Sequence, residues 1–307
     1  MPGRSYSGAP PPLTMSERAI RDRLRGHVEG LATGIGERNW RHYDGLDQAH
    51  RYVEHEFRRA GYAPESHPYE FGGETFYNVE AVLLGKASSN ESIVIGAHYD
   101  SVEGSPGAND NATGVAALLE LAKLLRGQLP EATLRFVAFA NEEAPYFNTG
   151  DGMGSIQYAR RFAARADSVR GMLSLETVGF YSDSPGSQTY PWGVGAFYPD
   201  RGNFIAFISN LRSRGLLRRV LGSFRAVATL PSEGAALPAS MPGVAWSDHR
   251  SFWDVGIPAI MITDTAPFRD PQYHLHTDTP ERLDYERIAR LVVGLAHAIL
   301  ELAGPPR

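Results

Sequence analysis

Four short apolar runs, each followed by histidine or carboxylate, constrain this chain more than any other feature. Ser92–Ala97 (SIVIGA) runs into His98-Tyr99-Asp100, Leu134–Ala140 (LRFVAFA) into Asn141-Glu142-Glu143, and Gly171–Leu175 into Glu176. Pro258–Thr263 (PAIMIT) is followed ten residues on by Tyr273-His274-Leu275-His276-Thr277-Asp278. Runs this short and continuous suit strands buried on both faces. Helical stretches separate them: Gly114–Arg126 and Ser155–Arg165, with Asp284–Ala303 closing the chain before Gly304-Pro305. Strands alternating with helices predict an α/β fold, a three-layer α/β/α sandwich on a mixed, mainly parallel central sheet. Upstream, Ser16–Ala32 and Leu46–Ala60 have the periodicity of surface helices, and Phe76–Leu84 alternates as an edge strand would.

With 307 residues the chain can bury a large core without staples. Cysteine is absent, which excludes disulfides, thiolate metal sites and thiol nucleophiles together. Thirty basic against thirty-five acidic residues give a net charge of −5, which argues against nucleic acid as a partner. The longest apolar run, Leu291–Leu300, falls well short of the ~18–20 residues of a membrane span. Residues 1–15, rich in proline and glycine, read as a flexible leader, and 16–307 as a single domain. Residues 181–245 read as an excursion from that domain, with one helix near Asn203–Arg214. Without a hydrophobic signal core the expected location is cytoplasmic, or exported if a longer native N-terminus precedes this one. Oligomeric state is not legible.

In an open α/β sheet, ligands bind beyond the carboxyl ends of the strands. Every apolar run here delivers histidine or carboxylate to that crevice. The glycine-flanked loop Gly107–Gly114 adds Asp110. A lone His-x-Asp or Glu-Glu pair is commonplace, but five on successive strand ends point to one site. Imidazole and carboxylate without thiolate suit a zinc-like ion in a hydrolytic centre. The ligands are too many for one tetrahedral catalytic ion and fit two ions sharing one carboxylate. Glu142 is then left beside the metals as a base, provided a turn brings both Glu142 and Glu143 to bear.

The segments GAHYDSV, GANDNATGVAALLE, FANEE, SLETVGFY, SDHRSFW and DPQYHLHTDTPERLDY resemble the di-zinc metallo-aminopeptidase family, from about residue 76 to 303 and skipping most of 181–245. That family includes bacterial leucyl aminopeptidases, glutamate carboxypeptidase and glutaminyl cyclase. The resemblance implies His98 and Glu176 on one zinc, His274 and Glu143 on the other, and Asp110 bridging. It implies Glu142 as general acid/base and Tyr273 at the oxyanion, with His274 preferred to His276 by its distance from Asp278. Asp100 matches the carboxylate that orients the His98 ring, and Asp278 stands beside the site in the same motif. Many of the family's aminopeptidases carry aspartate where this chain has Glu176.

The function implied is a metal-dependent exopeptidase using zinc-activated water on a peptide substrate, most simply an aminopeptidase. A carboxypeptidase of the same family, a glutaminyl cyclase-like acyltransferase and a non-catalytic receptor-like domain are the alternatives. A carboxypeptidase needs a cation for the terminal carboxylate, for which Arg201, Arg212, Arg214 and Arg225 are candidates. Trp192, Phe197, Tyr198, Phe252 and Trp253 are candidates to line a hydrophobic pocket. His249, behind a Ser247-Asp248 helix cap, is placed near the cleft. No G-x-S-x-G elbow is present, so a serine hydrolase is disfavoured.

Overall fold

The computed structural model describes residues 1–86, 90–147, 149–163 and 168–305. Helices α1 (Met15–Val28) and α2 (Tyr43–Arg59) precede strands β1 (Glu65–Phe71), β2 (Glu74–Leu83) and β3 (Glu91–His98). Then come α3 (Gly114–Leu125), β4 (Thr133–Phe139), α4 (Gly154–Ala163) and β5 (Ser168–Glu176). The second half holds β6 (Ile205–Asn210), α5 (Arg214–Val227), β7 (Ser232–Leu237), α6 (His249–Asp254), β8 (Ala259–Thr263) and α7 (Tyr285–Leu302). The eight strands form one sheet in the order β1-β2-β4-β3-β5-β8-β6-β7. Pairs β3–β4, β3–β5, β5–β8 and β6–β7 are parallel, while β1–β2, β2–β4 and β6–β8 are antiparallel. The sheet is mixed and mainly parallel, as the apolar runs predict.

Alternate residues of the central strands feed two cores, the period-2 consequence of the pleat. Ile93, Ile95, Leu134, Phe136, Leu173, Leu175, Ile260 and Ile262 pack with α1, α2, α3, α5 and α7. Val94, Val137, Phe139, Met172 and Ala259 point the other way, against Tyr158 of α4 and Phe252 of α6. The link from β3 to β4 through α3 therefore crosses one face, and that from β4 to β5 through α4 the opposite face. This reversal opens the crevice beyond the carboxyl end of β3.

Three expectations need correction. Residues 181–245 contribute β6 and β7 to the sheet, and the helix placed at Asn203–Arg214 is instead strand β6, with α5 following from Arg214. The Phe76–Leu84 segment is not an edge, because β2 pairs with both β1 and β4. Residues 1–13 have no helix or strand but are tied down: the Ser5 hydroxyl accepts from Ser232 N at 2.8 Å, Arg225 and Arg290 donate to the Pro2 and Pro11 carbonyls, and Leu13 is buried. Helix α1 begins at a reciprocal capping box between Thr14 and Glu17, which sets its start sharply. The predicted helix Ser155–Arg165 corresponds to α4, and its last two residues lie outside the described residues. No helix among the described residues is long and apolar enough to cross a membrane.

Candidate metal centre

The sequence-predicted ligands end a central strand, as His98 and Glu176 do, or lie in the loop that leaves one, as Asp110, Glu143 and His274 do. His98 is the last residue of β3 and is fully buried. Its Nε2 lies 3.2 Å from Asp110 Oδ1 and 3.3 Å from Glu176 Oε2 at the end of β5. On the other side of Asp110, His274 Nε2 lies 3.0 Å from Asp110 Oδ2 and 3.4 Å from Glu143 Oε1. Two groups result, His98–Asp110–Glu176 and Asp110–Glu143–His274. Within each, the potential ligand atoms lie within 4.8 Å of one another, and Asp110 belongs to both. His276 is exposed and belongs to neither.

The loop that presents Asp110 is held by backbone contacts. Asp110 (φ −110°, ψ 92°) and Asn111 (φ −133°, ψ 41°) both have non-helical dihedrals, and the bond between them is cis. Asp278 receives the backbone N–H of Asn109 at 2.8 Å and of Asp110 at 3.1 Å. Gly107 adopts φ +60°, and a Cβ there would meet Asp110 O at 2.4 Å, so only glycine fits. Gly114 lets α3 approach β5, since a Cβ would meet Leu175 O at 2.5 Å. Asp100 performs the matching service for the neighbouring strand end. It accepts from Glu142 N at 3.1 Å and Glu143 N at 3.0 Å, and its Oδ1 stands 3.3 Å from His98 Nδ1. This carboxylate thus turns both glutamates towards the crevice and faces the His98 ring. The Glu176 carboxylate is fixed by the Ser247 hydroxyl at 2.8 Å.

Sequence reasoning missed Arg38. It is fully buried, and its guanidinium donates to the Tyr99 carbonyl at 2.7 Å, Gly36 at 3.1 Å, Pro106 at 2.5 Å and Gly107 at 2.6 Å. Burial lowers its pKa to about 10, against the pull of Asp100, Asp278, Asp110 and Glu143. A lone arginine in a polar stretch carries no sequence signal for such a role.

Tyr273 stacks on the His274 ring, with centroids 3.8 Å apart. Burial and the surrounding carboxylates push its phenol far above the ordinary range. Burial likewise raises Glu142 well above a normal carboxylate, with Glu176, Glu143 and Asp248 adding to it against the pull of His98. The Glu142 side chain accepts no hydrogen bond from the described residues. His249 is not part of the centre. Its Nε2 meets the Val244 carbonyl at 2.8 Å, its ring packs edge-on against Trp253, and burial lowers its pKa to about 4. Asp248 makes no cap bond to α6 and is buried instead beside the acids of the crevice.

A metal fits this donor set on an observation of its own. His98 Nε2, Asp110 Oδ1 and Glu143 Oε1 are buried without a hydrogen-bond partner. Buried polar atoms left bare are costly, so converging ones mark a place for an ion. Beside Glu176 a deep apolar pocket opens, walled by Tyr190, Tyr198, Phe204, Trp246 and Phe268. Of the aromatics expected there, only Tyr198 contributes. Trp192 and Phe197 are exposed, Phe252 is in the core, and Trp253 packs against it. None of the residues lining this pocket is arginine or lysine.

The fold and these paired ligand groups define a metallopeptidase centre. The chain belongs to peptidase family M28, whose profile matches residues 78–299. The Escherichia coli protein YfbL is 38% identical over 283 residues, covering 89% of this chain and 86% of that protein. A probable leucine aminopeptidase of Arthroderma otae is 26% identical, covering 66% of this chain and half (50%) of its own length. Among solved structures, an aminopeptidase from Aneurinibacillus sp. strain AM-1 aligns at TM-score 0.55 and 27% identity, over 76% of this chain and 49% of that one. The chain thus spans most of YfbL but only about half of the named aminopeptidases.

Proposed function

We propose that the protein is a metal-dependent aminopeptidase with two zinc ions. His98 and Glu176 would hold one ion, His274 and Glu143 the other, and Asp110 would be shared between them. The observation that carries this reading is the pair of ligand groups meeting at Asp110, with Glu142 beside them and free. Such ions supply Lewis acidity, polarising the scissile carbonyl and making water a nucleophile near neutral pH. Glu142 takes the proton of the attacking water and returns it to the leaving amide nitrogen. Tyr273, anchored by stacking on His274, donates its hydroxyl to the oxyanion that forms at the carbonyl. Asp100 and Asp278 act through the backbone, holding the Glu142-Glu143 and Asn109-Asp110 amides.

Polarity follows from charge. Glu142 and Glu176 place carboxylates where a terminal ammonium is attracted, and the pocket beside them offers no cation to a terminal carboxylate. Arg201 donates to the Asp183 carbonyl at 2.7 Å, and Arg225 to the Ser232 and Pro2 carbonyls, so neither is presented as a fork. A leucyl peptide and its N-acetylated twin make the test. Acetylation is expected to abolish cleavage; unchanged kcat/KM after acetylation, with loss on amidating the carboxyl end, would make the enzyme a carboxypeptidase.

A further inference from the structure

The pocket beside the metal centre contains an acid that the chemistry above does not use. Glu233 of β7 pairs in register with Ala206 of β6, Ala206 with Thr263 of β8, and Thr263 with Glu176 of β5. Residues paired in register project from the same face, so these four form one row across the sheet. Glu176 and Glu233 stand at its ends, three strand spacings of ~4.8 Å or roughly 14 Å apart. The residues between them are small, and all four line the pocket. The floor therefore runs unobstructed from a metal ligand to a second carboxylate.

Glu233 is under-partnered. Its side chain is 26% exposed, and it accepts no hydrogen bond from the described residues. The cations near it are Arg225 and the Met1 amino group. Arg225 Nη2 stays 3.7 Å away, because that guanidinium is already committed to the Ser232 carbonyl and hydroxyl and to Pro2. A direct charge-assisted bond measures about 2.7–2.9 Å. The neighbouring tyrosines do not help. Tyr198 gives its hydroxyl to the Gly234 carbonyl at 3.1 Å and Tyr190 to that of Pro199. They offer the pocket their rings, stacked with centroids 5.9 Å apart.

An aromatic-walled channel with a carboxylate at its far end suits a side chain with an apolar stem and a positive tip. The stem packs on the walls, ring faces attract the cation, and the acid pairs with it. We propose that Glu233 selects the first residue of the substrate, and that the pocket takes a long unbranched cationic side chain, lysine or arginine. A neutral side chain of the same length would desolvate the carboxylate and leave it only the 3.7 Å approach of Arg225. This rests on the aminopeptidase reading, which places the substrate's amino end by Glu176 and its side chain along the row.

The test compares lysyl- and norleucyl-p-nitroanilide, which differ mainly in the terminal ammonium, on the zinc-loaded enzyme and its Glu233→Gln variant. Wild type is expected to favour lysine by tenfold or more in kcat/KM, and Glu233→Gln to lower the lysine-to-norleucine ratio by at least tenfold. Wild-type preference for norleucine, or a ratio unmoved by Glu233→Gln or Glu233→Ala, would overturn the proposal. Binding of lysinamide and norleucinamide, followed by calorimetry, separates the two readings. If no nitroanilide is cleaved, the aminopeptidase reading fails. Tighter lysinamide binding that is lost in Glu233→Gln still supports cation selection, and equal binding of the two amides refutes it.

Discussion

Arg38→Lys is the sharpest test of how the centre is held, because it keeps the charge and removes the shape. The guanidinium reaches carbonyls of Gly36, Tyr99, Pro106 and Gly107, which belong to three separate backbone stretches. An ammonium has three donors on one compact nitrogen and cannot span them. At least one buried carbonyl is orphaned, at about 1–3 kcal/mol, and the remaining bonds are made with poorer geometry. Relaxation and entry of water limit the total, so the expected loss is about 2–4 kcal/mol, within the range of a broken buried network. For a chain of this size that lowers Tm by roughly 4–8 °C. The loop that Arg38 braces leads directly from Asp100 to Asp110, so zinc affinity should fall roughly 10–100-fold, the usual cost of losing support behind a ligand. Thermal unfolding of the apo protein and competition with a chromogenic zinc chelator read the two effects separately. A Tm within about 1 °C of wild type together with unchanged zinc affinity would refute the bracing role.

Glu142→Gln should retain both metals yet lower kcat by roughly 10²–10⁴, the usual worth of general acid–base catalysis; near-normal turnover would remove Glu142 from the mechanism. Glu143→Gln should instead weaken one metal site, seen as reduced zinc per chain. Elemental analysis should give two zinc ions per chain for wild type, with Asp110→Asn losing both; one ion in wild type would contradict the bridged pair. Glu80 gives a pH prediction away from the site. Burial alone would raise its pKa, but bonds from His67, Arg135 and Tyr158 outweigh it and hold the carboxyl near 2. A lowered folded-state pKa stabilises above the unfolded value near 4.5, by about 3 kcal/mol, and that gain disappears as pH falls through 2. Denaturant titrations should therefore show the gap between wild type and Glu80→Gln closing between pH 6 and pH 2; a constant gap would contradict the linkage.

The ligands were legible because the fold places them at one kind of position. A parallel strand buried on both faces is a continuous apolar run, and the residue that ends it faces the crevice. His98 and Glu176 follow from that rule directly, and Asp110, Glu143 and His274 lie in the loops that leave such ends. The far side of the sheet was not legible in the same way. β6 (IAFISN) is itself a short apolar run continuing from Phe204, which the helix expected at Asn203–Arg214 overlooks, while in β7 (SEGAAL) serine, glutamate and glycine interrupt the apolar pattern. In β1 (ESHPYEF) only His67 is buried, and Pro68 weakens the strand signal further. Arg38 and the pocket aromatics Tyr190, Trp246 and Phe268 owe their places to tertiary packing, which leaves no local pattern.

The acids of this crevice divide by what satisfies them. Asp100, Asp110, Glu142, Glu143, Glu176, Asp248 and Asp278 are all buried, with Arg38 the buried arginine that faces them. Gathering so many carboxylates is unfavourable unless each has a purpose that offsets its desolvation. Asp100 and Asp278 each spend both oxygens on a pair of successive backbone amides, so their charge shapes the chain around the site. Asp110 and Glu143 instead keep an oxygen buried and bare, and His98 keeps its Nε2 so. The outer carboxylates are committed to the fold, and the inner ones are left for an ion. That division suits a divalent cation: the backbone amides are taken by the outer acids, and among the described residues Arg38 and the two histidines are the positive groups that act on Asp110 and Glu143.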